Sequence, residues 1–350
     1  MIREAVEKVA RRVDLTENEA RQVFEEIMSG KASHSQISAF ITALRMKEET
    51  VDEITGAAKV MREKSVHILG GKNLIDIETA DTAVDDEIII DTCGTGGTGM
   101  NTFNISTATA IVIAGCGLKV AKHGNRSASS ECGSADVLEA LGVKLEIGPD
   151  LVQRCVLEIG IGFMYAPLFH SAMKYAAIPR KEIGIRTIFN ILGPLSNPAG
   201  ATSQVLGVYE PKLTETLAKV LRNLGIRRAF VVCGADLLDE ITITGKSKVT
   251  ELKDRKIRTY FITPEKFGVR RASLDEIAGG NAGENARIVM SVLKGERGPR
   301  RDIVLLNAAA GLACGFKARN FKEGVKLAAE SIDSGKALDK LLRLIGLTNI

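Results

Sequence analysis

Four glycines stand within the nine residues Asp91-Thr-Cys-Gly-Thr-Gly-Gly-Thr-Gly99, directly after the apolar run Ile88-Ile89-Ile90. Glycines at that density let the backbone approach a ligand closely and turn its N–H groups toward an anion. The spacing therefore predicts a phosphate-binding turn at the end of a buried strand. Gly94, Gly96 and Gly99 also satisfy the G-x-G-x-x-G dinucleotide fingerprint. The context argues against that reading: Met100-Asn-Thr102-Phe intervenes before the helix, and the next strand ends in Lys122, where an acidic ribose ligand belongs. The Lys-Ser/Thr ending of a triphosphatase P-loop is missing as well.

Other chemistry gathers behind this turn. Asn104-Ile105-Ser106-Thr107 opens a long apolar segment, where unpaired N–H groups and the helix dipole favour a phosphate. The next strand runs out into Lys122, His123, Gly124, Asn125 and Arg126, then Ser127, Ala128, Ser129 and Ser130. Two permanent cations, an amide and three hydroxyls make a donor set of pyrophosphate size. Ser134, ahead of Ala135 and Asp136, reads as the cap of a further helix. Asp239 and Glu240 follow a strand-like stretch, and adjacent carboxylates at a sheet edge suit magnesium, which takes few carboxylates plus waters and phosphates. His170, Lys174, Arg180 and Arg186 share one helical stretch. Arg180, directly after Ile178-Pro179, reads as an element boundary from which it forms a bidentate pair with a substrate carboxylate. Each feature has a plainer reading as a glycine-rich connection, an ordinary cap, a solvated basic loop or an exposed acidic pair. Their arrival at the carboxyl ends of successive strands, where open α/β sheets bind ligands, favours the site.

The elements that hold these residues follow from periodicity. Residues 1–68 read as helix after helix, with Ile2, Val6, Val9 and Val13 on one face and capping boxes at Thr16/Glu19 and Thr50/Glu53. Gly70-Gly71-Lys72-Asn73 reads as a hinge. From Glu87 the period shortens, with strand-like stretches at 118–121, 143–146, 163–166, 205–209 and 229–233 separated by helical lengths. This alternation predicts an α/β fold with a mainly parallel central sheet covered by helices. Residues 167–190 break it with two consecutive helices, at 169–177 and 181–189. The expected organisation is a small all-helical domain, 1–72 with a returning segment at about 168–190, and a larger α/β domain over the rest of 73–350. Helices at 303–315 and 321–334 close the chain.

Composition narrows the class. A chain of 350 residues, 45% hydrophobic and 26% charged, has enough apolar content for a full core. Lys and Arg total 47 against 43 Asp and Glu, interspersed to a net +4, and there is no Trp, so neither a basic footprint nor a stacking platform for nucleic acid is present. No apolar run reaches bilayer length and the N-terminus lacks a signal-peptide core, so no membrane partner and a cytoplasmic location are expected. The 6 cysteines lie far apart without a C-x-x-C pair, as small buried hydrophobes would.

In their order, DTCGTGG…NTFNIST, KHGNRSASS…GSAD, HSAMKYAAIPRKEIGIRTIFNILGPLSNP and LLDE closely resemble the anthranilate phosphoribosyltransferases of tryptophan biosynthesis, over nearly the whole chain. The KHGN and GIRTIFN…LGPL…NP blocks are the specific part, because they separate this family from the pyrimidine nucleoside phosphorylases that share its fold type. The resemblance implies a nucleoside phosphorylase/phosphoribosyltransferase architecture, a homodimer formed through the helical part, and transfer of the phosphoribosyl group of 5-phosphoribosyl 1-pyrophosphate to the amine of anthranilate. It also implies that Gly94, Gly97, Thr98, Thr102, Asn104, Ile105, Ser106, Thr107 and the loop Lys122 to Ser130, with Ser134, hold phosphoribosyl pyrophosphate. Ser106, Asp239 and Glu240 would bind Mg2+, two ions per active site, while Asn125 and Arg180 with His170 and Pro194 would form the anthranilate pocket. No general base stands out, so Lys122 and Arg180 are the candidates for electrostatic catalysis. The chain departs from the family pattern at Thr98, where many members carry Asp, and at Ser171, where Pro is common. A nucleoside phosphorylase-like enzyme and a non-catalytic binding relative are the alternatives.

Overall fold

The computed structural model describes residues 1–69, 88–97, 99–127 and 131–350. The expected hinge at 70–73, and with it the boundary at 72, lies outside them, as do Thr98 and Ala128 to Ser130. Seven strands form one sheet in the order β3-β2-β1-β4-β5-β6-β7: β1 Ile89–Gly94, β2 Lys119–Gly124, β3 Ile161–Tyr165, β4 Ser203–Gly207, β5 Arg228–Gly234, β6 Ser247–Lys253 and β7 Lys256–Ile262. β1 to β5 pair in parallel, and every residue of β4 and β5 is buried, as strands covered on both faces must be. The chain moves from β1 outward through β2 to β3 and then returns to place β4 on the other side of β1. Connections leaving β1 and β4 therefore diverge, which opens a crevice at their carboxyl ends.

Two expectations about strands change. Residues 143–146 form no strand: the Ile147 N–H bonds the Leu145 carbonyl and the Lys144 N–H bonds Thr348 Oγ1, so the backbone is used locally and against the last helix while Val143 and Leu145 fill the core. The hairpin β6–β7 is antiparallel and was not anticipated, because its Lys, Thr, Glu and Arg content masks the alternation. Asp254 and Arg255 join its strands at φ 49° and 59°, the doubly left-handed turn that matches strand twist.

Helices cover both faces. On one, Ile105–Gly115 is apolar all round and almost wholly buried, packed with Pro299–Cys314, Phe321–Asp333 and Lys336–Thr348. On the other lie the four N-terminal helices, Ile2–Ala10, Glu17–Met28, His34–Lys47 and Val51–Glu63, with Leu213–Asn223. The returning helices are Lys174–Ile183 and Phe189–Leu195 rather than 169–177 and 181–189, because Gly184 ends the first at φ 63°; the first packs on His34–Lys47, and the Phe189 ring lies 5.6 Å from Phe24. One apolar cluster runs without interruption from the N-terminal helices through Ile188, Phe189 and Leu192 to Leu206 and Val231 of the sheet. The helical unit thus shares a core with the α/β unit among the described residues.

The boxes at Thr16/Glu19 and Thr50/Glu53 form as expected, and Ser33/Gln36 adds a third. Glu53 is fully buried, accepting hydrogen bonds from the Leu15 and Thr50 N–H groups (2.9 and 2.8 Å) and pairing with Lys47 at 3.0 Å. Glu53→Ala leaves Lys47 and two N–H groups without that partner, so denaturant titration should show a loss of about 3 kcal/mol.

Candidate active site

The turn after β1 is built against the Asp239 carboxylate of another loop. Gly96, Gly97 and Gly99 adopt φ of 63°, 67° and 71°, which only glycine takes without strain. The Thr95 N–H bonds the Gly207 carbonyl at 3.0 Å, and the Gly96 N–H bonds Asp239 Oδ2 at 2.8 Å. A Cβ on Gly94 would stand 2.2 Å from that same Oδ2. Gly94 is therefore glycine to admit Asp239. Gly94→Ala should displace the carboxylate by about an ångström and slow any reaction that depends on its placement about a hundredfold; turnover of the variant beside wild type checks this.

The loop bearing Asp239 and Glu240 is itself pinned. Asp236 Oδ2 accepts from the hydroxyls of Thr242 and Thr244 at 2.7 and 2.6 Å. Asn307, buried on the helix Pro299–Cys314, accepts from the Ile241 N–H and donates to the Ile241 carbonyl, both at 2.9 Å. No sequence motif marks Asn307, since an amide inside an apolar helix carries none.

Lys122 extends from β2 into the same place and is 3% exposed. Its ammonium donates to the Thr92 carbonyl at 2.5 Å and to Ser106 Oγ at 3.3 Å. Burial pulls its pKa down, opposed by the charges of Asp91, Cys93 and Glu240. Burial and the neighbouring Asp239 push the Glu240 carboxyl up to about 8, against the pull of Lys122 and of the Ser106 backbone N–H. Burial likewise raises Asp239, and the Gly96 N–H holds it back. Two adjacent half-buried carboxylates beside a serine hydroxyl, with the Lys122 ammonium and the Arg186 guanidinium nearby, form an oxygen donor set. That is what a hard divalent cation fits.

On the other side of β2, the rings of His123 and His170 lie 4.8 Å apart, each with a buried Nε2 that has no hydrogen-bond partner among the described residues. Burial lowers their pKa values to about 3 and about 4, so both imidazoles are neutral. His123 is held by the Gly193 backbone, next to Pro194, whose carbonyl accepts from Gln204 Nε2 at 2.6 Å. Arg180 lies inside the helix Lys174–Ile183 rather than at a boundary, because Pro179 is accommodated within that helix. Its guanidinium sits 5.2 Å over the Phe189 ring, burial lowers its pKa, and no described carboxylate pairs with it.

Other sequence-derived candidates make contacts within the protein. Asn104 precedes the helix Ile105–Gly115 without a side-chain cap bond; its amide donates to the Cys132 carbonyl and accepts from Asn285, both within 3.1 Å. Ile105 is a core side chain, and Thr107 is buried with its hydroxyl unpartnered among the described residues. Thr102 forms a β-bridge with Ala278. Gly124 passes so close to Ser134 that a Cβ would lie 2.1 Å from its Oγ. Ser134 is not the cap: Gly133 holds that position, and Asp136 accepts from the Gly133 and Ser127 N–H groups at 2.8 and 3.0 Å. Arg126 is bound by Glu139 at 2.7 and 2.8 Å and by Asp136 at 3.1 Å, so it fastens the loop instead of offering a spare charge. Asn125 orders that loop, its Oδ1 taking the Arg126 N–H and its carbonyl the Ala135 N–H.

Arg186 has a larger part than its sequence position suggested. It stacks 3.8 Å over the Tyr209 ring and donates to the carbonyls of Gly96 at 2.8 Å and Thr95 at 3.2 Å.

Comparison with known proteins identifies the family and the fold. Residues 86–338 match the glycosyl transferase family a/b domain, and residues 3–65 match its helical bundle domain. Anthranilate phosphoribosyltransferases of Geotalea uraniireducens and Geobacter sulfurreducens are each 58% identical over 349 residues, covering 100% of both chains. The crystal structure of the Thermus thermophilus enzyme superposes with a TM-score of 0.90 at 40% identity over 99% of each chain. The Saccharomyces cerevisiae enzyme in complex with PRPP and Mg gives 0.87 at 30% identity, over 99% of this chain and 98% of that one. With identity, length and fold in agreement from end to end, the chain belongs to the anthranilate phosphoribosyltransferase family.

Proposed function

We propose that this protein transfers the phosphoribosyl group of 5-phosphoribosyl 1-pyrophosphate to anthranilate, giving N-(5-phosphoribosyl)anthranilate and pyrophosphate in tryptophan biosynthesis. The observation that carries the reading is the contact of the Gly96 N–H with Asp239 Oδ2, which joins an anion-binding turn to a half-buried carboxylate pair in one crevice. Support comes from the yeast relative that holds PRPP and Mg and from another structure of it with 4-fluoroanthranilate.

On the donor side, the turn at Gly94 to Gly97 receives the phosphates. Lys122 gives two of its three donors to Thr92 and Ser106, which leaves one for a phosphate oxygen. Asp239, Glu240 and Ser106 would hold magnesium, two ions per site, and the metal would supply charge neutralisation to the leaving pyrophosphate. On the acceptor side, Arg180 takes the anthranilate carboxylate, while His170, His123, Asn125 and Pro194 wall the ring. The amine nitrogen attacks the ribose C1 as the C1–O bond to pyrophosphate breaks, and the bonding pair leaves with pyrophosphate. The amine proton passes to the substrate's own carboxylate, oriented by Arg180. Positioning and electrostatics carry the reaction.

The protein acts as a homodimer through its helical unit, where Val13 and Met46 stand 48% and 70% exposed. All 6 cysteines are free, in keeping with the reducing cytoplasm. The deciding experiment follows anthranilate fluorescence with phosphoribosyl pyrophosphate and Mg2+, beside a thymidine and phosphate reaction. Anthranilate consumption with stoichiometric pyrophosphate is expected; phosphorolysis of thymidine alone would overturn the reading.

A further inference from the structure

We propose that Arg186 is a positioning residue that holds the phosphate turn in shape from the segment that carries the acceptor site, and so sets the affinity for phosphoribosyl pyrophosphate. The inference rests on the function proposed above and goes beyond it in assigning that affinity to a residue outside the turn.

Gly96 is gripped from both sides. Its N–H is bound by Asp239 Oδ2 at 2.8 Å and its carbonyl by Arg186 Nη1 at 2.8 Å. The second arm of the same guanidinium takes the Thr95 carbonyl at 3.2 Å, so the fork spans consecutive peptide groups. The next residue records the same closeness: a Cβ on Gly97 would fall 1.5 Å from Nη1, and Gly97 sits at φ 67°. Below the fork, the Tyr209 ring supports the guanidinium plane at 3.8 Å, and the Tyr209 N–H bonds Thr95 Oγ1 at 3.3 Å. Ring, cation and turn therefore form one unit across the carboxyl ends of β1 and β4.

An anion-binding turn works by aiming its N–H groups at the ligand, which requires its carbonyls to be drawn the other way. Arg186 draws two of them. Its positive charge also lies close enough to Asp239 to lower the cost of a carboxylate there. Arg186 lies six residues beyond Arg180, in the link between the helices Lys174–Ile183 and Phe189–Leu195. The segment that supplies the acceptor's guanidinium thus also supplies the brace of the donor's turn. Lysine is no substitute, because a point charge on a flexible stem lacks the planar fork that bridges two carbonyls while stacking on a ring.

The test is steady-state kinetics of wild type, Arg186→Ala and Arg186→Lys with both substrates varied, beside melting curves. Both variants should raise the KM for phosphoribosyl pyrophosphate at least tenfold and the KM for anthranilate less than twofold. Should Arg186→Ala not fold, Arg186→Lys is scored alone by the same criterion. A phosphoribosyl pyrophosphate KM within twofold of wild type, restoration by lysine, or an equal rise in both KM values overturns the inference. Wild-type turnover decides the parent reading separately: without it the function proposed above falls, whereas an active wild type with unaffected variants removes only the role of Arg186.

Discussion

Replacing Arg180 with alanine is expected to raise the KM for anthranilate about a hundredfold and to slow turnover as well, while the KM for phosphoribosyl pyrophosphate stays near its starting value. The guanidinium is largely withdrawn from water, lies over Phe189 and is paired with no described carboxylate. A bidentate bond to a substrate carboxylate there is charge-assisted and partly desolvated, and truncating such a partner costs about 2–5 kcal/mol. The fall in turnover has a separate origin. If the anthranilate carboxylate takes the amine proton, a carboxylate free to rotate takes it less readily, so kcat falls even at saturation. Arg180→Lys should recover little, since it keeps the charge but loses the fork. Steady-state kinetics with both substrates varied reads all of this, and normal turnover by Arg180→Ala would sink the proton-relay proposal.

The double variant Asp239→Asn, Glu240→Gln should lose on the order of 10³ in magnesium-dependent turnover, because the donor set keeps its shape but loses the charge that binds a hard cation. The same change should make the magnesium-free protein more stable above neutrality. The folded Glu240 carboxyl titrates at about 8 against an ordinary 4.5, so the folded state keeps a proton that the unfolded state releases. Stability from this group is full below about 4.5 and declines as pH rises to about 8, beyond which it is flat. Glutamine removes that decline. Melting temperatures of metal-free wild type and variant should therefore separate progressively between those two pH values, with the variant higher at the alkaline end. Parallel curves would show that Glu240 is not held in the environment described. Lost activity with gained stability is the signature of a strained functional site rather than a structural one.

Much of this site is legible in the sequence because its chemistry is local. Gly94 ends β1, Lys122 lies near the end of β2 and the Asp239-Glu240 pair comes shortly after β5, and a parallel sheet brings successive strand ends to one edge. What misleads is any inference about a side chain's partner. Arg126 reads as a ligand cation but faces Glu139, thirteen residues away, and Asn104 reads as a cap but faces Asn285. Arg180 reads as a boundary residue because Pro179 precedes it, yet the helix continues through both. The hairpin β6–β7 escapes notice because its turn, Asp254-Arg255, lacks the glycine that marks such turns.

By itself, then, the sequence determined the N-terminal helices, the mainly parallel sheet and the family, all of which depend on periodicity or short contiguous motifs. Only the tertiary structure decided that Glu240 and Lys122 lie together, that Asn307 clamps the loop bearing Asp239 and Glu240, and that Arg186 donates to the turn from 90 residues away. Burial and long-range pairing set those properties, and neither is a function of neighbours along the chain.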